Sequence, residues 1–143
     1  MLRTYLASLL SIAALASCGT DGASDVGLVG VFEAVQPRSA GDSSTMRYWF
    51  SDDGSWGRVV RETIGGSPRD TCAVTAEARY VVEGASVELR HGSSSDRRKF
   101  SLAEERAVLK LDPPDAFTDG TAVAQFKRVE GASAKRTCTT AFE

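Results

Sequence analysis

At 143 residues, 42% hydrophobic and 25% charged, the chain fits one soluble domain. Its 17 basic and 19 acidic residues leave a formal net charge of −2, and no basic stripe interleaves with aromatics, which argues against nucleic acid as a partner. One histidine, His91, no CxxC or HxxxH spacing, and no Gly-x-Ser-x-Gly elbow, phosphate loop or dinucleotide fingerprint argue against metal, cofactor and enzyme chemistry.

The chain opens with one positive charge, Arg3, within Met1 to Thr4, followed by an apolar run from Tyr5 to Ala16. It closes on Leu15-Ala16-Ser17-Cys18 before the polar Gly19-Thr20-Asp21-Gly22. These are the charged, apolar and small-residue zones of a secretory signal. The run is too short to cross a hydrocarbon layer, which takes roughly 20 residues. Its small-small-Cys ending resembles the bacterial lipobox, which implies cleavage before Cys18 and acylation of that cysteine. An ordinary signal peptide that happens to contain a cysteine is the alternative. Several acyl chains, at about 0.8 kcal/mol per buried methylene, would hold the protein on a membrane. Gly19 in place of an Asp resembles the sorting pattern of Gram-negative lipoproteins bound for the outer membrane. Residues 1–17 are thus read as signal, 18–27 as a lipidated cysteine and tether, and 28–143 as the domain. Nine flexible residues span about 16 Å, so the domain is expected close to the bilayer of the bacterial cell envelope.

The domain reads as strands, because period-two alternation recurs and helical spacing does not. Leu28 to Val35 is the first, and Thr45 to Ser51 the second. Asp52-Asp53-Gly54 turns into Ser55 to Ile64, which Gly65-Gly66-Ser67-Pro68 ends. Cys72 to Val82 alternates most cleanly, with Val74, Ala76, Ala78, Tyr80 and Val82 on one face. Val87 to His91, Arg97 to Leu102, Ala107 to Leu111 and Thr121 to Val129 complete eight. Ala103-Glu104-Glu105-Arg106 could form a helical turn but is expected to join two strands, and Asp112-Pro113-Pro114-Asp115 to end another. Cys18 taken by lipid leaves Cys72 and Cys138, which in an oxidising compartment form a disulfide most simply. That bridge is expected to pin the C-terminal tail to the start of a central strand.

Eight short strands joined in sequence predict an all-β, antiparallel up-and-down barrel, since closure removes exposed edges. A two-sheet sandwich is the competing architecture. Gly30-Val31-Phe32, the hairpin from Tyr48 through Asp52-Asp53-Gly54 to Trp56, and Ala124-Gln125-Phe126-Lys127-Arg128 resemble the bacterial lipocalin-like lipoproteins. The resemblance covers roughly Leu28 to Val129, with Phe32 standing where that family commonly has Trp. It implies an eight-stranded lipocalin-like barrel and adds weight to the cysteine pair. It does not transfer a function, because such barrels serve many.

Gly54 is expected to supply the left-handed residue of a three-residue hairpin loop, which turns Phe50 and Trp56 to the same, inner side. The paired Asp52 and Asp53 are read as turn chemistry, since calcium wants six to eight oxygens. Asp112, Asp115 and Asp119 are read as solvated loop acids, and His91 as a rim residue. Phe32, Phe50, Trp56, Tyr80, Phe100 and Phe126 are expected to point inward as candidate ligand-binding residues, with Leu89 and Leu109 among them. Small Ala76, Ala78, Ala122 and Ala124 on the inner faces would leave room along one wall. Thr75, Glu77, Arg79, Glu88, Arg90, Arg97 and Lys99 form a mixed, solvated outer face. Of two non-enzymatic functions, a membrane-anchored barrel that binds a small apolar ligand is the expectation, and a packed barrel that recognises an envelope protein or inhibits a hydrolase is the alternative. Eight strands enclose just enough space for side chains or one small ligand, so both stay open.

Overall fold

A computed structural model describes residues 27–38, 41–72, 77–132 and 137–142. The signal, Cys18 and most of the tether lie outside these residues, as do Val74, Thr75 and Ala76. Among the described residues there is no helix, and nine strands form one antiparallel, strongly curled sheet. They are β1 (Gly30–Pro37), β2 (Ser43–Phe50), β3 (Trp56–Ile64), β4 (Ser67–Cys72) and β5 (Arg79–Glu83). β6 (Ser86–His91), β7 (Ser94–Ala103), β8 (Val108–Ala116) and β9 (Ala122–Arg128) follow. The lateral order is β4-β3-β2-β1-β9-β8-β7-β6-β5. Every consecutive pair is therefore a hairpin except β4 and β5, which form the two edges.

The molecule is a half-barrel rather than the expected cylinder of eight strands. First and last strands meet through two residue pairs, Phe32↔Arg128 and Glu33↔Lys127. At the other seam, edge strand β5 meets the β2–β3 turn at one point. Ser55 bridges Arg79, and the Tyr80 amide donates to the Gly54 carbonyl at 2.9 Å. The ninth strand is β4, which forms where the sequence suggested a break at Gly65-Gly66-Ser67-Pro68 and no strand before Cys72; Ser67 to Cys72 pair with β3 instead. Glu77 and Ala78 leave the strand conformation, so the stretch from Cys72 to Val82 contributes the end of β4 and the start of β5. The inner-face pattern survives that break, with Ala78 and Tyr80 buried in the core. Alternation reports which way a side chain points and not whether the backbone stays in one ladder.

The β2–β3 turn follows its sequence. Phe50 and Trp56 are register partners, the Ser51 amide donates to the Ser55 carbonyl at 2.8 Å, and Gly54 sits at φ +79°. An Asp53 carboxylate oxygen accepts from the Ser55 amide at 2.9 Å and the Ser55 hydroxyl at 2.5 Å, the local acceptor role of an Asx turn. At the β7–β8 turn, Glu104, Glu105 and Arg106 take φ of 51°, 55° and 72°. The segment joins two strands as expected, but through three left-handed residues, each costing roughly 1–2 kcal/mol in a non-glycine. Local hydrogen bonds offset part of this: Ala107 N–H to the Glu104 carbonyl, and Arg128 Nε to the Arg106 carbonyl, both 3.0 Å.

Two apolar clusters lie on opposite faces of the sheet. The inner one gathers Leu28, Phe32, Met46, Phe50, Val60, Val87 and Leu109 with the other inward residues of nearly every strand. The outer one is Val31, Trp49, Val59 and Ala141, with Cys72, Val129, Ala132 and Phe142 against them. Residues 137–142 return along the outside of β1–β3 and cover Trp49. Gly57 permits this: a Cβ there would stand 2.0 Å from the Trp49 ring. Cys72 and Cys138 are joined, with Cα atoms 5.8 Å apart. The pairing is the expected one, but its anchor is the end of edge strand β4, not the start of a central strand. Phe142 lies between the Arg61 and Arg47 guanidinium carbons, 3.9 and 4.6 Å from its ring centre. Arg47 also donates to the Ala141 carbonyl at 3.0 Å. Sulfur, ring and carbonyl thus hold a short tail that has no strand pairing of its own.

Candidate functional site

The inner face brings the six sequence-predicted aromatic residues together. Phe32, Phe50, Trp56, Tyr80 and Phe126 are buried, and Phe100 is half-buried against them. Phe50 meets Tyr80 edge-on at 5.2 Å between ring centres, and Phe32 at 6.3 Å. Polar tips are matched: Trp56 Nε1 donates to the Arg90 carbonyl at 3.0 Å, and the Tyr80 hydroxyl to the Ser51 carbonyl at 2.8 Å. Burial, followed by the charges of Asp53 and Asp52, pushes the Tyr80 phenol up to about 12. The Arg128 guanidinium covers the Phe32 ring from 4.5 Å. The small residues behave differently. Ala78 is buried, whereas Ala122 and Ala124 are exposed and Val123 packs on the core instead. The β8–β9 register shift between Lys110 and Asp115 disrupts the alternation the sequence implied there.

Tyr48 is at the centre of this ring system although it was not among the predicted inward residues. It stacks on Phe50 at 6.0 Å and Trp56 at 6.3 Å and meets Phe126 edge-on at 5.2 Å. The signal was present, because Tyr48 is two residues from Phe50 on one strand and must share its face. Its hydroxyl donates to Asp115 Oδ2 at 2.5 Å. Arg58 holds the same carboxylate with both prongs, Nε to Oδ2 at 2.7 Å and a terminal nitrogen to Oδ1 at 3.3 Å, and adds the Ala116 carbonyl at 3.2 Å. Asp115 is therefore not a solvated loop acid. Its side chain is 13% exposed and joins β8 to β2 and β3, strands that are not its neighbours in the sheet. Burial alone would raise its pKa, but the Tyr48 and Arg58 hydrogen bonds outweigh that and hold it below the ordinary carboxylate value. Burial and Asp115 together raise the Tyr48 phenol far above its usual value. The carboxylate stays charged, the phenol stays protonated, and the trio forms a fixed brace.

Beyond the brace the inner face becomes polar. Gln36, Ser44 and Glu62 are successive cross-strand partners on β1, β2 and β3. Gln36 donates to Asp119 Oδ2 at 3.2 Å and to Thr121 Oγ1 at 3.0 Å. Arg38 reaches Glu62 at 3.3 Å and Asp119 at 3.5 Å. Ser44 Oγ, Gln36 Oε1 and Arg38 Nε are buried without a partner here, a concentration of unsatisfied polar atoms that suits ordered water. Asp112 and Asp119 remain exposed, and His91 is half-exposed at the end of β6. Glu77, Arg79, Arg90, Arg97 and Lys99 are exposed as expected, while Glu88 is half-buried between Arg90 at 2.8 Å and the Ser95 hydroxyl at 2.6 Å. The Arg90 and Ser95 hydrogen bonds hold the Glu88 carboxyl down to about 2.

Fold and site together define a curled, all-β module with an aromatic interior, a braced polar end and a disulfide-held tail. Comparison with protein-family models, with curated proteins and with solved structures gives no match for this chain.

Proposed function

We propose that the chain is a non-enzymatic lipoprotein of the bacterial cell envelope, anchored through Cys18 at the outer membrane, whose domain recognises a partner with its outer surface. The anchor rests on the leader, from Arg3 to the Leu15-Ala16-Ser17-Cys18 ending. A disulfide between Cys72 and Cys138 suits the same compartment. A lipocalin-like relationship is supported by the up-and-down strand order, the pairing of first with last strand, and the Asp52-Asp53-Gly54 hairpin.

The observation that carries the recognition reading is the occupied interior. Tyr48, Phe50, Trp56, Tyr80 and Phe126 fill it with mutually packed rings, and Arg58–Asp115–Tyr48 span its polar end. An apolar guest would have to displace these rings and bury a charged brace, which is costly. The reading of an apolar ligand draws on Val82, Phe100 and Leu102, which pack against the core yet stay half-exposed. Native mass spectrometry of the protein extracted from membranes in mild detergent separates the two. A bare protein mass supports surface recognition, and a co-purifying apolar small molecule defeats it. For the anchor, Cys18→Ala should move the protein from the membrane to the soluble fraction. Retention on membranes would defeat that part alone.

A further inference from the structure

The outer face of β1–β3 is apolar at Val31, Trp49 and Val59, and the chain's own last residues cover it. The bridge from Cys72 fixes that cover at Cys138. Residues 139–142 run on past the bridge without strand pairing, with Thr139 exposed and Phe142 half-buried. A chain end held in this way opens locally at small cost, and no covalent bond breaks when it does.

The slot that receives Phe142 is held by groups other than the tail. Arg61 gives both prongs to Asp70 at 2.7 Å each, and Arg47 gives its Nε to Glu33 at 2.5 Å. Hydrogen bonds in the guanidinium plane fix each group by its edge and leave its faces for an aromatic ring. Phe142 takes that place, 3.9 Å from the Arg61 carbon and 4.6 Å from that of Arg47. Arg47 also donates to the Ala141 carbonyl at 3.0 Å, so the slot reads a ring together with the carbonyl before it. The surface continues beyond the tail. Val35, Thr45 and Arg61 are successive register partners on β1, β2 and β3 and share this face. Val35 is 56% exposed, so the tail leaves it uncovered. Two strand spacings set it about 10 Å from Arg61, within reach of a short extended segment seated in the slot.

We infer that the outer face of β1–β3 docks a partner polypeptide through an aromatic side chain set against Arg47 and Arg61, with an apolar neighbour on Val35, and that Phe142 occupies this slot in the free protein. This rests on the recognition reading and names its surface. The test uses the full-length protein in non-ionic detergent, with the disulfide intact, as the parent and as Phe142→Ala. Each is titrated with a capped Ala-Phe-Leu peptide and with its Ala-Ala-Leu counterpart, followed by the Arg47 and Arg61 Nε–H and Val35 methyl resonances. Phe142→Ala should bind Ala-Phe-Leu saturably, with shifts at all three residues, and should not bind Ala-Ala-Leu. The parent should bind Ala-Phe-Leu roughly tenfold more weakly, because only molecules whose slot is vacant can take it. Adding Arg61→Gln to Phe142→Ala should weaken binding roughly fivefold through loss of the cation–ring contact. Lys110→Gln, an exposed cation on β8, should leave it unchanged. The inference is overturned if Phe142→Ala binds no better than the parent, if Ala-Ala-Leu binds as well as Ala-Phe-Leu, or if Lys110→Gln weakens binding as much as Arg61→Gln. Any of these defeats the slot alone, whereas an apolar molecule co-purifying in the interior defeats the recognition reading and leaves these resonances where they are.

Discussion

Asp115 is the residue on which the inner face turns. A carboxylate at this depth is tolerable only because Arg58 engages both oxygens and the Tyr48 hydroxyl adds a third hydrogen bond. Removing that hydroxyl in Tyr48→Phe keeps the ring stacking and the ion pair, so thermal or urea unfolding should show a loss of about 1 kcal/mol. The pH dependence has a definite sign. The native Asp115 pKa lies below its ordinary 3.8, so the unfolded chain takes up this proton more readily. The stabilisation is present above about pH 4 and is lost as acid carries the solution down through the native value. Asp115→Asn should therefore be less stable than the parent at neutral pH, with the gap narrowing below pH 4. A gap that stays constant across the acid range would mean that the brace carries no charge-dependent stability.

At the level of elements, the two faces of one hairpin impose different demands on its glycines. Gly57 on β3 lies under Trp49 of β2, and any Cβ would overlap the indole. Gly54 at the turn has open space around it but a left-handed backbone. Gly57→Ala should cost about 2 kcal/mol by forcing the indole from the outer cluster, and should shift tryptophan fluorescence. Gly54→Ala should cost about 1 kcal/mol with no change in tryptophan environment. Denaturant melts read by fluorescence and by circular dichroism distinguish these causes. The same opposition explains the edges. Strand β4 is exposed along Ser67 to Thr71, with Pro68 and the charged Arg69 and Asp70, a composition that discourages pairing with another chain. Asp70 is held in turn by both prongs of Arg61, at 2.7 Å each.

For the molecule as a whole, the disulfide links edge strand β4 to a tail that crosses three strands. It closes a separation of 66 residues, worth about 4 kcal/mol when treated as lost freedom of the unfolded chain. The paired substitution of Cys72→Ser and Cys138→Ser should lower the melting temperature under oxidising conditions by an amount that reductant reproduces in the parent. It should also uncover Trp49, detectable as faster acrylamide quenching, because the tail covers that ring without any strand pairing. Unchanged quenching would mean that Phe142 and its two arginines hold the tail unaided.

Much of this was legible in the chain itself because it depends on short range. Alternation across Phe50, Trp56, Ala78 and Tyr80 places side chains on the inner face, since neighbouring residues of a strand point to opposite sides. Asp52-Asp53-Gly54 specifies its own turn through a left-handed glycine and an acidic acceptor, and two cysteines left over in pairs suggest their bond. Two features were decided by the curl of the sheet. Asp115 could be matched with Arg58 only once β8 faced β3 across the interior, 57 residues apart in the chain. Trp49 found a cover only when the tail came back over the outside. In each case the partner is remote along the chain, so no local pattern encodes it, and only the closing of the sheet brings the groups within reach.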